Sequence, residues 1–354
     1  MSTTPFRVPA TPIWVHSPYV NWLIPADSPT DAWVWHVRND KVGSITAALR
    51  IDGVAYSLLG PLHSVCPGGP LAMPALPLLA PAYILPTRTI FSYSGGGVVA
   101  NLTLATPKFL EDLDSFVPLL LVDISVASVD GAVHKVQAFF EASGQLAVDA
   151  DSTPVAWARD EPGGGLPPGT ENMRIFNPTG IPLREYAPYH PANATGGQPT
   201  EHIDWGAAFL TTLPPLGTDD RDMGNMTLTT WMGSSNVARG RFARSGSVPA
   251  DADESMMPLP ACAGGTCRCA EGGRGAHNDW PSLTASWDLG SVGGAVVAGS
   301  KGATRARAML SYDDLGQSAR YFGQARTPSC RQHEVRREPI GAHHTPPAFR
   351  SGAA

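Results

Sequence analysis

The stretch Pro86–Gly144 reads PTRTIFSYSGGGVVANLTLATPKFLEDLDSFVPLLLVDISVASVDGAVHKVQAFFEASG, and its period decides the fold. Val98, Ala100, Leu102 and Leu104 alternate with Val99, Asn101 and Thr103. Leu120, Val122, Ile124 and Val126 alternate with Leu121, Asp123, Ser125 and Ala127. Val136, Ala138 and Phe140 alternate with Lys135, Gln137 and Glu141. A period of two sends successive side chains to opposite faces, which is the signature of a strand. Gly95-Gly96-Gly97 and Asp130-Gly131 separate the runs, and such residues take up positive φ at little cost, as tight turns require. The stretch therefore predicts an antiparallel meander with one face on a core.

The composition extends this to the whole chain. In 354 residues, 43% are hydrophobic and 16% charged, so a large core is within reach and global disorder is excluded. Thirty-seven glycines and 34 prolines in a strand-bearing chain favour turns and long loops over helices. The fold class expected is mainly β: an antiparallel, supersandwich-like β-sandwich with long Pro/Gly-rich loops. A net charge of −6 gives no basic footprint for nucleic acid. No apolar run approaches the ~18 residues of a membrane span. The first residues, MSTTPFRVPATPIW, lack the apolar centre of a secretory signal.

Residues 1–82 read as an aromatic-rich first segment. Trp14, Trp22, Trp33 and Trp35 lie close together in sequence. They are an aromatic platform for a ligand, with Trp33 and Trp35 as candidate binding residues, or they fill a core and a seam. Ile45–Ile51, Asp52-Gly53 and Val54–Tyr56 predict a strand, a two-residue turn and a strand. Residues 61–82 are apolar and rich in proline, so they predict an extended packed connector.

The β-sandwich proper is expected over residues 83–324. Periodicity fails from 150 to 200, which predicts long loops. It returns at Ile203–Thr212, where Asp204 and Trp205 are further candidate ligand-binding residues, and at Met226–Trp231, Leu283–Leu289, Gly294–Gly299 and Ala306–Tyr312. Asp313-Asp314 predicts the start of a short helix. Residues 240–280 read as a loop insertion. Its Cys262, Cys267 and Cys269 with His277 suggest zinc only loosely, since the spacing is not that of paired thiolates and no second pair exists. Five cysteines also leave a disulfide framework incomplete. No metal and no cofactor is expected. Glu111-Asp112-Leu113-Asp114 reads as a solvated acidic loop, lacking the spacing of a calcium loop. Residues 325–354 hold five Arg, three His and no Lys, without any period. They are expected to be a disordered tail, with the composition of out-of-frame translation.

No G-x-S-x-G or H-E-x-x-H occurs, and no catalytic residue is assigned. Asp204, Asp313 and Asp314 read as loop and cap carboxylates. A set of short motifs nevertheless runs in order over residues 12–324: HSPY (His16–Tyr19), RIDG (Arg50–Gly53), YSLLG (Tyr56–Gly60), PTRTIF (Pro86–Phe91), EDLD (Glu111–Asp114), VDGAVHKVQAFFEASGQLAV (Val129–Val148), IDWG (Ile203–Gly206) and LSYDDLGQSARYFGQ (Leu310–Gln324). In this order and spacing they resemble the N-terminal part of the glutaminase A family. The resemblance implies a β-sandwich followed by an all-helical toroid in the same protein, often secreted, which hydrolyses L-glutamine to L-glutamate and ammonia. It covers the β part only. The chain is then a truncated, non-catalytic scaffold whose partner is the helical toroid, and it is expected to expose an apolar patch where that partner sits. The alternative is a carbohydrate-binding or bracing module of a glycoside-hydrolase-like protein.

Overall fold

The computed structural model describes residues 8–16, 20–36, 42–43, 45–62, 72–108, 118–148, 155–161, 166–176, 206–216, 227–250, 281–293, 303–313, 320–321 and 324–325. The first strands are β1 (Thr11–Val15), β2 (Asn21–Ile24), β3 (Val34–His36), β4 (Val42–Gly43), β5 (Ile45–Ile51) and β6 (Val54–Leu59). They are followed by β7 (Tyr83–Leu85), β8 (Arg88–Gly95), β9 (Val98–Ala105), β10 (Leu119–Ser128) and β11 (His134–Ser143), with a 3-10 turn at Gly144–Ala147. Then come β12 (Ala156–Asp160), β13 (Glu171–Phe176), β14 (Ala207–Leu216), β15 (Thr227–Ser234), helix α1 (Ser235–Ser245), β16 (Pro281–Val292), β17 (Thr304–Asp313), β18 (Arg320–Tyr321) and β19 (Gln324–Ala325).

Two antiparallel sheets face each other as a sandwich. One has eight strands in the order β12-β13-β14-β17-β10-β9-β8-β7, the other five in the order β15-β16-β11-β5-β6. A small sheet of β1 to β4 adjoins them. Period two explains the core. Leu102, Leu104, Val122 and Ile124 of the large sheet are buried in one cluster with Leu49, Ile51, Val136, Ala138, Phe140 and Trp287 of the smaller sheet. Each such Leu, Val, Ile or Phe side chain gains about 1.5–3 kcal/mol on burial. Two polar tips also reach across the core: Tyr93 Oη donates to the Leu58 carbonyl at 2.6 Å and Trp287 Nε1 to that of Leu213 at 2.9 Å. Burial raises the Tyr93 phenol well above its ordinary pKa, so it stays a neutral donor.

The alternation predicted for 98–104 and 120–127 is present, with Gly96 and Gly97 as the turn between β8 and β9 at φ 57° and 76°. The meander, however, ends at β10. That strand pairs with β9 and β17, whereas β11 pairs with β5 and β16 in the other sheet. The segment 129–133 is therefore a crossover between sheets, not a hairpin turn. The reason lies in β11, where Gln137, Phe139, Glu141 and Ser143 are as buried as the inward-facing residues. A strand covered on both faces belongs in the middle of a covered sheet.

The cover is α1 with its flanks. Ser234 caps it, accepting from the Val237 amide at 3.2 Å, and Gly246 ends it in the left-handed conformation. Phe242 stacks on Phe139 with ring centroids 5.0 Å apart, joined by Ala238, Trp231 and Val248 in a second core. The loop expected from residue 240 is thus corrected at its start, because the sheet's outer face supplies the apolar partner a short helix needs. Asp313 is the last residue of strand β17, and the short helix expected after it, over 314–319, lies outside the described residues. Residues 251–280, with the Cys262–Cys269 cluster, and the rest of the predicted tail after Ala325 lie outside the described residues. So do 111–117, with the acidic loop, and 294–302, with the strand expected there.

The connector at 72–82 is extended and packed, as its prolines require. It hydrogen-bonds to β6 through Ser57 and to β8 through Ser92 and Ser94. The five-stranded sheet also takes β5 and β6 from before residue 82 and β11, β15 and β16 from after it, so it draws on both sides of the boundary expected there. No described helix is long and apolar enough to cross a membrane.

Candidate functional site: a buried ion pair roofed by tryptophan

Glu141 occupies the outward-facing row of β11, and Arg239 lies one helical turn after Ser235 on the sheet-facing side of α1. Both side chains are 0% exposed. Arg239 Nε donates to Glu141 Oε2 at 3.0 Å and Nη2 donates to Oε1, so the pair is bidentate. A planar guanidinium matches a carboxylate in this way and lysine does not. Around it lie hydroxyl groups. Thr46 and Thr284 flank Glu141 in register on β5 and β16, and Ser282 Oγ and Thr284 Oγ1 share a hydrogen bond of 3.0 Å.

Trp33 closes the pair from the side of the small sheet. The Arg239 guanidinium carbon lies 5.2 Å from the centroid of its ring, a cation–π distance. The indole also sits over Gly60, where φ is +73° and an added Cβ would come within 2.8 Å of Thr46 Cγ2. Glycine at that position lets the tryptophan seat on the sheet. Trp35 pairs with Leu23 and Val42 within the small sheet. Its indole N–H is buried without a hydrogen-bond partner among the described residues.

Two of the four residues proposed as ligand contacts are therefore placed. Trp33 is half-buried over the ion pair and Trp35 is half-buried in the small sheet, whereas Trp14, Trp22, Trp157, Trp231 and Trp287 are buried. Asp204 and Trp205 lie outside the described residues. Glu141 and Arg239 carried no sign of a site in the sequence. Glu141 falls on the polar side of the alternation and so reads as solvent-facing. The one available signal is its neighbour Phe139, a large apolar residue on that same side.

Two other sequence motifs make contacts between elements, Arg50 from β5 and His16 after β1. Arg50 of RIDG grips the end of α1, donating from Nε to the Ala243 carbonyl at 3.3 Å and from Nη2 to that of Arg244 at 3.1 Å. Its third nitrogen meets Gln137 Oε1 at 3.3 Å. A cation at a helix C-terminus satisfies orphan carbonyls and complements the dipole. His16 of HSPY meets Lys108 Nζ at 3.2 Å through Nδ1, and Lys108 also donates to the His16 carbonyl at 3.2 Å. Burial first, and the nearby ammonium second, bring the His16 imidazole down to a pKa of about 4. It is neutral at physiological pH and accepts from the lysine.

Chemically, a carboxylate held by two guanidinium N–H groups and sealed from water is out of reach of a substrate proton. The arrangement joins α1, β11 and the Trp33 segment. Among the described residues no group of His, Cys, Asp and Glu side chains is disposed to hold a metal.

Residues 87–328, about two thirds of the chain, match the family described as a domain of unknown function (DUF5127). No curated protein matches the chain.

Proposed function

We propose that this chain, which belongs to the DUF5127 family, is the β-sandwich region of a glutaminase A-like amidohydrolase and serves it as a non-catalytic brace. The observation that carries the reading is where the motif residues go. Arg50, Gln137 and Glu141, which bear the family resemblance, are committed to one another and to α1. None is directed at a solvent-facing cleft, as a nucleophile or an oxyanion donor must be. Leu79 and Tyr83, both more than half exposed beside β7 at the edge of the large sheet, supply apolar surface for a helical partner.

The test is ammonia release from L-glutamine. The 354-residue chain is compared with a longer polypeptide that carries an all-helical toroid domain after Gln324. Release by the longer protein alone is the expected result, and release by the short chain overturns the reading.

A second reading is favoured by the partial exposure of Trp33 and Trp35: a carbohydrate-binding module, in which apolar sugar faces stack on these rings. Titration of tryptophan fluorescence with oligosaccharides separates the two. Saturable quenching that is lost in Trp35→Ala supports sugar binding, and a flat titration supports the brace.

A further inference from the structure

His134, the first residue of β11, stands between two carboxylates. Nδ1 lies 2.6 Å from Asp52 Oδ2 and Nε2 lies 3.0 Å from Asp130 Oδ1. The histidine side chain is 9% exposed, and the carboxylates are 52% and 46% exposed. Each carboxylate is fixed by its own loop. The second oxygen of Asp52 accepts from the Lys135 amide at 2.8 Å, and Asp130 Oδ1 accepts from the Ala132 amide at 2.8 Å and from Ser128 Oγ at 3.3 Å.

The three residues come from distinct parts of the sandwich. Asp52 is in the turn between β5 and β6, in the five-stranded sheet. Asp130 is in the crossover that carries the chain from the eight-stranded sheet to the five-stranded one. A third turn closes over them, that of Gly97 between β8 and β9. A Cβ there would collide with Asp130 Oδ2 and the His134 ring. The Val129 amide also donates to the Gly97 carbonyl at 3.0 Å. One imidazole thus ties together the end of both sheets.

An imidazole can donate from both nitrogens only as a cation. Once neutral, it keeps one N–H, and its other nitrogen turns a lone pair toward the opposite carboxylate. We propose that Asp52, His134 and Asp130 form a pH-operated fastener: closed with a cationic His134, it clamps the 129–133 crossover to the β5–β6 turn, and deprotonation of His134 releases one arm.

Among the described residues, the charges acting on the ring are Asp52 and Asp130. Val292 faces it from β16 and the β8–β9 turn presents Gly97, both without charge. Lys135 follows on β11 with its side chain exposed. Hydrogen bonds to Asp52 first and Asp130 second hold the imidazole above its ordinary pKa of 6.5. The fastener is therefore fully closed below 6.5 and opens as pH rises through the folded-state value.

The experiment is an NMR titration of the His134 ring in the intact chain, together with hydrogen exchange of residues 129–135 across the same pH range, corrected for intrinsic rate. The expected titration midpoint lies above 6.5 and falls in both Asp52→Asn and Asp130→Asn. Exchange of the crossover is expected to speed up by about threefold through that midpoint, the size appropriate to a half-exposed ion pair. In His134→Gln the step in exchange disappears. A wild-type midpoint at or below 6.5, or an exchange step that persists in His134→Gln, overturns the proposal. The titration of the wild-type chain decides the matter even if a variant does not fold.

Discussion

Replacing Arg239 by methionine removes one member of a wholly buried ion pair while keeping a side chain of similar length. Because both partners are 0% exposed, Glu141 cannot recover its hydration without opening the seam under α1. Leaving a buried charge uncompensated costs about 3–5 kcal/mol, and the lost cation–π contact with Trp33 adds up to about 2 kcal/mol. With a guanidinium m-value of about 5 kcal/mol/M for a domain of this size, a loss of 4 kcal/mol lowers the unfolding midpoint by about 0.8 M. The double variant Glu141→Leu/Arg239→Met removes both charges and both desolvation costs. It is expected to return to within about 1 kcal/mol of the parent. The assay is equilibrium denaturation of the parent, both single variants and the double variant, read as a cycle. The reasoning is refuted if Arg239→Met costs less than about 1 kcal/mol, or if the double variant is as unstable as the sum of the singles.

Arg50→Ala is expected to cost about 1–2 kcal/mol, since two carbonyls at the end of α1 lose a charged donor, and to raise hydrogen exchange in the last turn of the helix. Gly60→Ala combines a positive φ with a contact of 2.8 Å to Thr46 Cγ2 and should cost about 1–3 kcal/mol in thermal or chemical unfolding. On the acid side, hydrogen bonds to His134 first, and to backbone amides second, depress the Asp52 and Asp130 carboxyls below 3.8. Their contribution is present above 3.8 and is lost as pH falls through the depressed values. An acid-unfolding profile should show this limb, and Asp52→Asn should flatten it.

The sequence by itself determined the hairpins β5–β6 and β8–β9 and the strand β10, whereas β12 and β13 lie where it predicted long loops. The strict alternation over 98–104 and 120–127, with Gly96-Gly97 before the first of these runs, has a single solution, because a side chain's face in a strand is set by its parity. Asp52-Gly53 was legible for the same reason, as a two-residue turn joining two short alternating runs. The extended connector at 72–82 follows from the donors that its prolines lack.

The candidate site was much less legible. Trp33 could be picked out as aromatic, but not as the cover of an ion pair. Local pattern fixes which side of a strand a residue takes, and it is silent on what covers that side. Glu141 looks like a solvated residue until α1, nearly a hundred positions later, closes over it. The same limit explains the crossover at 129–133: Asp130-Gly131 has the composition of a hairpin turn, and only the competition among β5, β10 and β16 for the edges of β11 assigns that strand to the second sheet. Pairing partners, burial of the outer face and the clamping of His134 between Asp52 and Asp130 are all long-range choices. They depend on the summed free energy of contacts between distant segments, which only the tertiary structure brings together.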